Sequence, residues 1–194
     1  MEERPEFLGS LAPLPADPLA PALATEMLKA GQAAGTGPMA AVAGAIAQAV
    51  AKDLLVESGR VLVENGGDLH LALGRDAVVG VWAGKSPFSG RLGLKIAAEA
   101  MPMAVCSSSG TVGHSLSAGR ADCATVVAKN AALADAAATA LGNRVQKPKH
   151  LASAVEWARS LPGVVGALAI MGKDIAAAGD LELVEPGGAN GEGK

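Results

Sequence analysis

Residues 121–141, ADCATVVAKNAALADAAATAL, decide the fold because they place one strand and one helix in immediate succession. The first eight residues have a β-branched centre, which favours a strand at 121–128. Asn130 is a good helix N-cap, and residues 131–141 consist mostly of alanine, the strongest helix former. Gly142 and Asn143 are predicted to close this helix.

The hydrophobic pattern on either side of this stretch predicts several more strands and three more helices. The predicted strands are residues 61–64, 68–73, 78–82, 91–96, 103–106, 164–171, 175–178 and 181–184; the predicted helices are 21–30, which Gly31 ends, 38–55 and 151–161. These elements do not follow a regular βαβ repeat. The sequence therefore predicts an α+β (mixed α/β) fold with a mixed, largely antiparallel sheet and Ala-rich helices.

The length and composition predict one domain. The chain has 194 residues, half of them apolar but only 2% aromatic, so its core must be built from Ala, Val, Leu and Ile. We predict a single domain over residues 1–186, in which the Pro-rich residues 1–18 form an extended arm. The Gly-rich residues 187–194 are predicted to be a disordered tail.

Charge and composition argue against several classes of protein. The net charge of −3 and the scarcity of aromatic rings are untypical of a nucleic-acid binder. The amino terminus does not resemble a signal peptide, and the longest apolar run, residues 38–51, is too short to span a bilayer. We therefore expect a cytoplasmic protein without a membrane partner. Cys106 and Cys123 lack zinc-site spacing and are interpreted as reduced core thiols.

Asp135 and Thr139 are the predicted metal ligands. They are four residues apart on the predicted helix 131–141, so both project from one helical face. Mg²⁺ prefers oxygen ligands in octahedral geometry, and a carboxylate and a hydroxyl supply part of such a shell. The alternative is structural, since an Asp near a helix start suits the helix dipole and a mid-helix Thr often bonds the carbonyl four residues earlier.

The turn Asn65-Gly66-Gly67-Asp68 lies between two predicted strands. As a structural element it is a hairpin turn, because Asn-Gly favours the type I′ conformation. As a binding element, Gly66 and Gly67 would let backbone N–H groups approach a phosphate, and Asp68 would orient the ligand.

Residues 107–114, SSSGTVGH, supply many small hydrogen-bond donors in one loop. Such a loop suits a diphosphate, and the candidate cofactor-binding residues are Ser108, Ser109, Gly110 and Thr111. His114 is the candidate catalytic residue, as a general base. The alternative is a plain connector with His114 as a loop hydrogen-bonding residue, since no nucleophile or carboxylate lies at a spacing that would define a triad.

Four phrases in order along the chain resemble a known superfamily. They are GPMAAVAG at 37–44, VENGGD at 63–68, SSGTVGHS at 108–115 and ADAAATAL at 134–141. Together they resemble the ApbE-like flavin transferase superfamily, and most closely its branch of conserved proteins labelled UPF or DUF. The resemblance spans residues 5–184.

The resemblance implies an ApbE-type α+β fold that binds flavin adenine dinucleotide (FAD). In the transferases, Mg²⁺ is held by an Asp and a Thr four residues apart and by a backbone carbonyl near the first phrase. The matching groups are Asp135, Thr139 and the carbonyl of Val42 or Ala43. The transferases cleave the diphosphate and attach the flavin mononucleotide half to a Thr hydroxyl of a partner protein.

Two features depart from the transferase pattern. The transferases carry a Lys before a Gly in the first phrase, where Ala43 precedes Gly44, and their His-x-x-Asp-Pro segment is absent, since Ser115-Leu116-Ser117 follow His114. The resemblance therefore implies that ligand binding is kept while transfer is lost or altered.

The leading hypothesis is a metal-assisted enzyme or binder of a small-molecule flavin- or nucleotide-type diphosphate, with Mg²⁺ and FAD or a related nucleotide as cofactors. A second hypothesis is a non-catalytic ligand-binding or scaffold protein. A third is an FAD:protein FMN transferase. The sequence leaves a homo-oligomer open.

Overall fold

The computed structural model describes residues 5–110 and 119–187. The α-helices in these ranges are α1 (Glu6–Gly9), α2 (Ala22–Ala34), α3 (Val42–Leu54), α4 (Ala131–Arg144) and α5 (Leu151–Arg159). The strands are β1 (Val61–Asn65), β2 (Asp68–Ala72), β3 (Ala77–Gly80), β4 (Gly93–Ile96), β5 (Met103–Ser108), β6 (Cys123–Ala128), β7 (Val164–Met171), β8 (Asp174–Gly179) and β9 (Glu182–Val184). Short 3₁₀ turns at Pro38–Ala41, Ala98–Ala100 and Pro148–His150 complete the elements.

The strands form two antiparallel sheets. The larger sheet has the order β1-β2-β5-β6-β7-β8 and the smaller has the order β3-β4-β9. All strand pairs in both sheets are antiparallel. Helices α3, α4 and α5 pack on one face of the larger sheet, and the smaller sheet packs on its other face. The predicted α+β fold with a largely antiparallel sheet is confirmed.

Side-chain size differs between the two faces of the larger sheet. Because successive residues of a strand point to opposite faces, the helix-facing residues of β5, β6 and β7 alternate with those facing the smaller sheet. The helix-facing residues are mostly small: Ala104, Cys106, Ala124, Val126, Ala167 and Ala169. The opposite face carries larger residues: Met103, Val105, Val127, Leu168 and Ile170. Small side chains let the Ala-rich α4 pack close to the sheet.

Gly44 lets α3 pack close to α4. A Cβ at Gly44 would lie 2.2 Å from the carbonyl oxygen of Ala131 and 2.9 Å from the Cβ of Asp135. Any larger residue would push the two helices apart. This contact holds the start of α3 against the first turns of α4.

The predicted end of the first long helix is wrong. Gly31 does not end α2, which continues to Ala34 and ends at Gly35, whose φ is 75°. A Cβ at Gly31 would lie 2.8 Å from the Thr36 carbonyl oxygen. Gly31 therefore permits close packing inside the helix, while Gly35 supplies the left-handed conformation that ends it.

The predicted end of α4 is also wrong. The helix continues through Gly142 and Asn143 to Arg144. Gly119 and Gly142 are in close contact, since a Cβ at Gly119 would lie 1.8 Å from the Gly142 carbonyl oxygen. The guanidinium of Arg144 lies 3.3 Å from the ring centre of Trp157 on α5. Tertiary contacts thus extend the helix past its sequence stop signal.

The amino-terminal arm differs from expectation, whereas the last two strands form where they were predicted. Residues predicted to be an extended arm include the short helix α1, and the side chain of Phe7 is buried in the core. The last two strands lie in different sheets: β8 pairs with β7, whereas β9 pairs with β4. An ion pair of 3.3 Å between Lys95 Nζ and Glu182 Oε1 accompanies the second pairing. Residues 188–194 of the predicted tail lie outside the described residues.

The two cysteines and the apolar helices were also subjects of prediction. Cys106 and Cys123 are both buried free thiols, as predicted. Within the described parts of the chain, no single helix is long and apolar enough to cross a membrane. Taken together, helix α2 and the helical segment 38–54 have the length and composition of a membrane span, but the chain bends by 103° between them.

Candidate functional site

A cavity of about 520 Å³ lies where the amino-terminal segment, the start of α3, the start of β2 and the face of α4 meet. Its volume falls within the range of about 300–1,000 Å³ that is typical of small-molecule sites. The residues on its wall are Leu8, Ser10, Leu11, Thr36, Gly37, Met39, Ala40, Val42, Ala43, Asp68, Asp135, Thr139 and Asn143. The structure therefore brings three of the predicted site residues, Asp68, Asp135 and Thr139, to one cavity.

Helix α4 contributes one stripe of polar residues to this cavity. Asp135, Thr139 and Asn143 all line it, and each follows the previous one by four residues, so they share one face of the helix. The first two were predicted as metal ligands, whereas Asn143 was interpreted as part of a helix stop. Continuing the spacing of four would have identified Asn143.

Asp135 also caps α3 from a neighbouring helix. Its Oδ2 accepts a hydrogen bond of 2.9 Å from the Gly44 N–H. The N-cap residue of α3 is Ala41, which offers no side-chain acceptor. The Asp135 carboxylate therefore satisfies the first turn of α3 and interacts favourably with its dipole. Asp135 therefore joins α3 to α4 as well as lining the cavity.

Asp68 lies at the first position of β2 and is buried. Its Oδ1 accepts a 3.2 Å hydrogen bond from the Ser107 N–H on the neighbouring strand β5. Burial raises the pKa of Asp68 to about 6; hydrogen bonds from the Cys106 thiol and the Ser107 N–H oppose this, and the charge of Glu64 adds to it. The carboxyl group is therefore held at the cavity wall in an environment that resists its charge.

The two carboxylates act on each other. Burial, and then the negative charge of Asp68, raise the pKa of Asp135 well above its usual range, against the hydrogen bonds from Gly44 and Ala43. Among the described residues, neither carboxylate forms an ion pair with a Lys or an Arg. Two like charges in one buried site favour proton uptake or the arrival of a cation.

The hairpin between β1 and β2 contacts the start of α3, which forms part of the cavity wall. Gly66 and Gly67 have positive φ values of 65° and 100°, and the Gly67 N–H donates to Glu64 Oε1 at 2.7 Å. Neither glycine lines the cavity. The Asn65 Nδ2 donates to the Ala43 carbonyl at 3.2 Å, so the hairpin is tied to the start of α3. The structural interpretation of this turn is confirmed, and ligand contact by its glycines stays a prediction.

The Ser-rich loop is only partly described. Ser108 ends β5, and Gly110 lines a second cavity of about 510 Å³ together with Arg120 and Lys173. Ser108 and Ser109 are absent from the walls of both cavities. Thr111 and His114 lie outside the described residues, so their predicted roles stay predictions.

Two buried polar atoms have no hydrogen-bond partner in the described structure: Thr36 Oγ1 and His70 Nδ1. His70 faces the helices from β2, and burial followed by the charge of Lys52 lowers its pKa. Thr36 lies beside Gly37 on the cavity wall. Thr36 was not predicted, because it lies in the Gly-rich break between two predicted helices and matches no motif.

Donor chemistry limits how a cation could be held here. In residues 5–110 and 119–187, no group of three or more His, Cys, Asp or Glu side chains could hold a metal ion. A cation at this cavity would thus rely on two carboxylates, the Thr139 hydroxyl, and carbonyl, ligand or water oxygens. Mg²⁺ commonly accepts such a mixed oxygen shell.

Comparison with known proteins gives a family. The model of the family described as AbpE bacteria matches residues 1–163. A UPF0280 protein of Methanocella arvoryzae is 43% identical over 182 residues, which cover 93% of this chain and 74% of the relative. UPF0280 proteins of Methanococcus aeolicus and Methanosarcina acetivorans are 43% and 42% identical, and the matched regions cover 87% and 88% of this chain and 70% and 68% of those relatives. The chain therefore belongs to the AbpE bacteria family and to the group of UPF0280 proteins.

Proposed function

We propose that this protein binds a divalent cation, with Mg²⁺ preferred, together with a flavin- or nucleotide-type diphosphate such as FAD. One observation carries the proposal: Asp68 and Asp135 are buried on the wall of one cavity, and neither has a cationic partner among the described residues. The ApbE-like resemblance is part of the proposal and supplies the identity of the ligand.

The energetics of the carboxylate pair favour a cation. A buried charge is costly unless a counter-charge or hydrogen bonds compensate it. The hydrogen bonds to Asp68 and Asp135 come mainly from backbone N–H groups, which offset part of this cost. A divalent cation at the cavity would neutralise both charges at once and would remove their mutual repulsion.

The donor set suits Mg²⁺. Carboxylate oxygens of Asp68 and Asp135 and the hydroxyl of Thr139 are hard oxygen donors, which Mg²⁺ prefers. The Ala43 carbonyl already accepts a hydrogen bond from Asn65 Nδ2, and its place in α3 directs it to the N–H four residues later, so both of its lone pairs are engaged. When bound, Mg²⁺ would supply charge neutralisation and polarisation of a phosphoryl oxygen.

The charge of the cavity explains why the ligand and the cation would bind together. Of the described residues that line it, none is a Lys or an Arg. A diphosphate alone would meet two carboxylates and no counter-charge, so its affinity should depend on the cation. By thermodynamic linkage, the diphosphate should raise the affinity for the cation by the same factor.

The rival functions differ in what they expect of this cavity. A non-catalytic scaffold would show no ligand-dependent stabilisation at all. An FMN transferase would need a cationic group near the diphosphate, and Ala43 occupies the position where the transferases carry Lys. We therefore favour binding with slow or absent cleavage over transfer to a protein.

The test is calorimetric titration of FAD into the protein with Mg²⁺ and, separately, with EDTA. We expect binding only with Mg²⁺, and loss of binding in Asp135→Asn and in Thr139→Val. Asp53→Asn, which alters an exposed carboxylate on α3, is the matched control and should bind as the unmodified protein does. Equal binding in Asp135→Asn and the control, or no binding of FAD by the unmodified protein, would overturn the proposal.

A further inference from the structure

The cavity has an apolar side that the carboxylates do not explain. Its wall there is built from Leu8 and Leu11 of the amino-terminal segment, from Met39 of the 3₁₀ turn before α3, and from Val42 at the start of α3. The acidic groups of β2 and α4 lie on the same cavity. A ligand that fills it must therefore carry both an uncharged, apolar part and a part that a cation can bind.

The amino-terminal segment is held in place as a wall of this cavity. Phe7 is buried in the core, and the Gly37 N–H donates to the Leu11 carbonyl at 2.9 Å. A Cβ at Gly37 would lie 1.7 Å from the Ser10 carbonyl oxygen, so glycine is required for this approach. The segment that the sequence suggested to be a plain arm is thus fixed beside the site.

Two leucines of this segment present uncovered apolar surface beside the cavity. The side chains of Leu8 and Leu11 are 56% and 81% exposed, although Phe7 next to them is buried. Single exposed leucines are common on proteins. Here, however, both also line one cavity that has buried carboxylates on its wall, so a bound ligand would cover them.

A polar group within the same wall narrows the class of ligand. Thr36 is 6% exposed, lines the cavity, and its hydroxyl has no partner among the described residues. A buried hydroxyl without a partner destabilises the free protein. A flat ring with carbonyl or ring-nitrogen acceptors at its edge could supply the missing partner after a side-chain rotation, whereas an acyl chain could not.

We propose that Leu8, Leu11 and Thr36 form a subsite for the uncharged heteroaromatic ring of the ligand. The inference rests on the proposed function, because the cation and the diphosphate would occupy the carboxylate side. Aliphatic side chains clamp the ring, and the Thr36 hydroxyl bonds its polar edge.

The test separates the ring from the diphosphate. Calorimetry would compare four ligands: Mg²⁺ with pyrophosphate, riboflavin, adenosine, and FAD with Mg²⁺. In the paired variant Leu8→Ala/Leu11→Ala we expect FAD affinity to fall about tenfold, because two apolar contacts are lost. Riboflavin or adenosine, whichever ring occupies the subsite, should weaken in parallel, while pyrophosphate with Mg²⁺ should bind unchanged.

The matched control is Leu19→Ala/Leu54→Ala, which removes two leucines that are 93% and 48% exposed and lie away from the cavity wall. The control should bind all four ligands as the unmodified protein does. Unchanged FAD affinity in the Leu8→Ala/Leu11→Ala variant, or an equal loss in the control, would overturn the subsite. Failure of the unmodified protein to bind either pyrophosphate or FAD with Mg²⁺ would instead overturn the proposed function.

A second variant tests the hydroxyl and does not depend on the leucines. Thr36→Val keeps the shape and removes the unpartnered group, so the free protein should melt at a higher temperature while the ring-bearing ligands bind more weakly. Thr36→Ser should restore the affinity. A Thr36→Val variant that binds FAD as tightly as the unmodified protein would show that the hydroxyl takes no part.

Discussion

Asp68→Asn is expected to raise the free energy of unfolding of the metal-free protein at neutral pH. Burial raises the pKa of Asp68 from 3.8 to about 6. That difference is about 2.2 pH units, and at about 1.4 kcal/mol for each unit the ionised carboxylate costs about 3 kcal/mol of stability. The amide keeps an oxygen that can accept the Ser107 N–H. We therefore expect a net gain of about 1–3 kcal/mol, the lower end allowing for burial of the amide.

The pH dependence fixes the sign of this effect. The folded state binds the Asp68 proton more tightly than the unfolded state, because its pKa is higher when folded. The stability from this group is thus fully present below pH 3.8 and is lost as the pH rises through about 6. The stability of Asp68→Asn relative to the unmodified protein should therefore rise across that window.

The measurement is urea unfolding followed by circular dichroism at about pH 4.5 and about pH 8, in EDTA and in Mg²⁺. Comparison of variant and unmodified protein at each pH cancels the contribution of titrating groups that do not interact with Asp68. Asp135 does interact with it, and because the Asp68 charge raises the pKa of Asp135, the loss of that charge adds to the same trend. Mg²⁺ should stabilise the unmodified protein more at the higher pH and should stabilise Asp68→Asn less. A stability difference that is independent of pH would refute the reasoning, since it would mean that Asp68 is not charged at a cost.

Asp135→Asn is expected to stay folded and lose Mg²⁺ binding, since its amide oxygen still accepts the Gly44 N–H; Asp135→Ala should also lose about 1–2 kcal/mol in chemical unfolding. His70→Leu should remove part of the stability loss below pH 6.5: burial lowers the pKa of His70, so the unfolded state binds its proton more tightly and stability falls as the pH falls. Gly44→Ala should destabilise by about 3 kcal/mol or more in thermal melts, because its Cβ would lie 2.2 Å from the Ala131 carbonyl oxygen. Gly66→Val should lower the free energy of unfolding by only about 1–2 kcal/mol, because the positive φ disfavours valine but no atom lies close enough to clash with its Cβ. Incubation of the protein with FAD, Mg²⁺ and a Thr-containing peptide should leave the peptide unmodified in mass spectrometry; a gain of the flavin mononucleotide mass at an enzyme-like rate would contradict this.

Glycine explains most of the errors in predicting the helices from sequence. Gly31 and Gly142 both resemble helix stops, but each lies inside a helix where another part of the backbone approaches closely. Gly35, which does end α2, differs by its φ of 75°. The position of a glycine in the sequence does not show which structural role it has. The missing side chain can permit close packing, or the backbone can adopt a positive φ that ends a helix. That choice depends on contacts between distant segments, such as the one between Gly142 and Gly119.

The candidate site was predictable only where its geometry is local. Asp135 and Thr139 lie on one helical turn, so their spacing alone places them on the same face. The proximity of Asp68 to Asp135 results from the antiparallel pairing of β2 with β5 and from the packing of α4 on β5. Neither contact has a signature in the spacing along the chain. The amino-terminal wall was not predicted, because the proline-rich composition of residues 1–18 indicated an extended arm. That composition gives no sign that Phe7 is buried in the core and holds the segment in place.

Asp135 joins the fold and the candidate site, and this determines how the site can be tested. Its Oδ2 is engaged by the Gly44 N–H at the start of α3, while a carboxylate has a second oxygen and about four lone-pair positions in all. One carboxylate can therefore cap α3 and bind a cation at the same time. Removing the whole side chain would disturb both functions, and a loss of binding in Asp135→Ala would not show which one mattered. Replacing the charge alone, as in Asp135→Asn, keeps an acceptor for the Gly44 N–H and removes the group that would attract the cation. If that variant melts like the unmodified protein yet still binds Mg²⁺ with equal affinity, the carboxylate serves the fold only, and the cation must be held elsewhere or not at all.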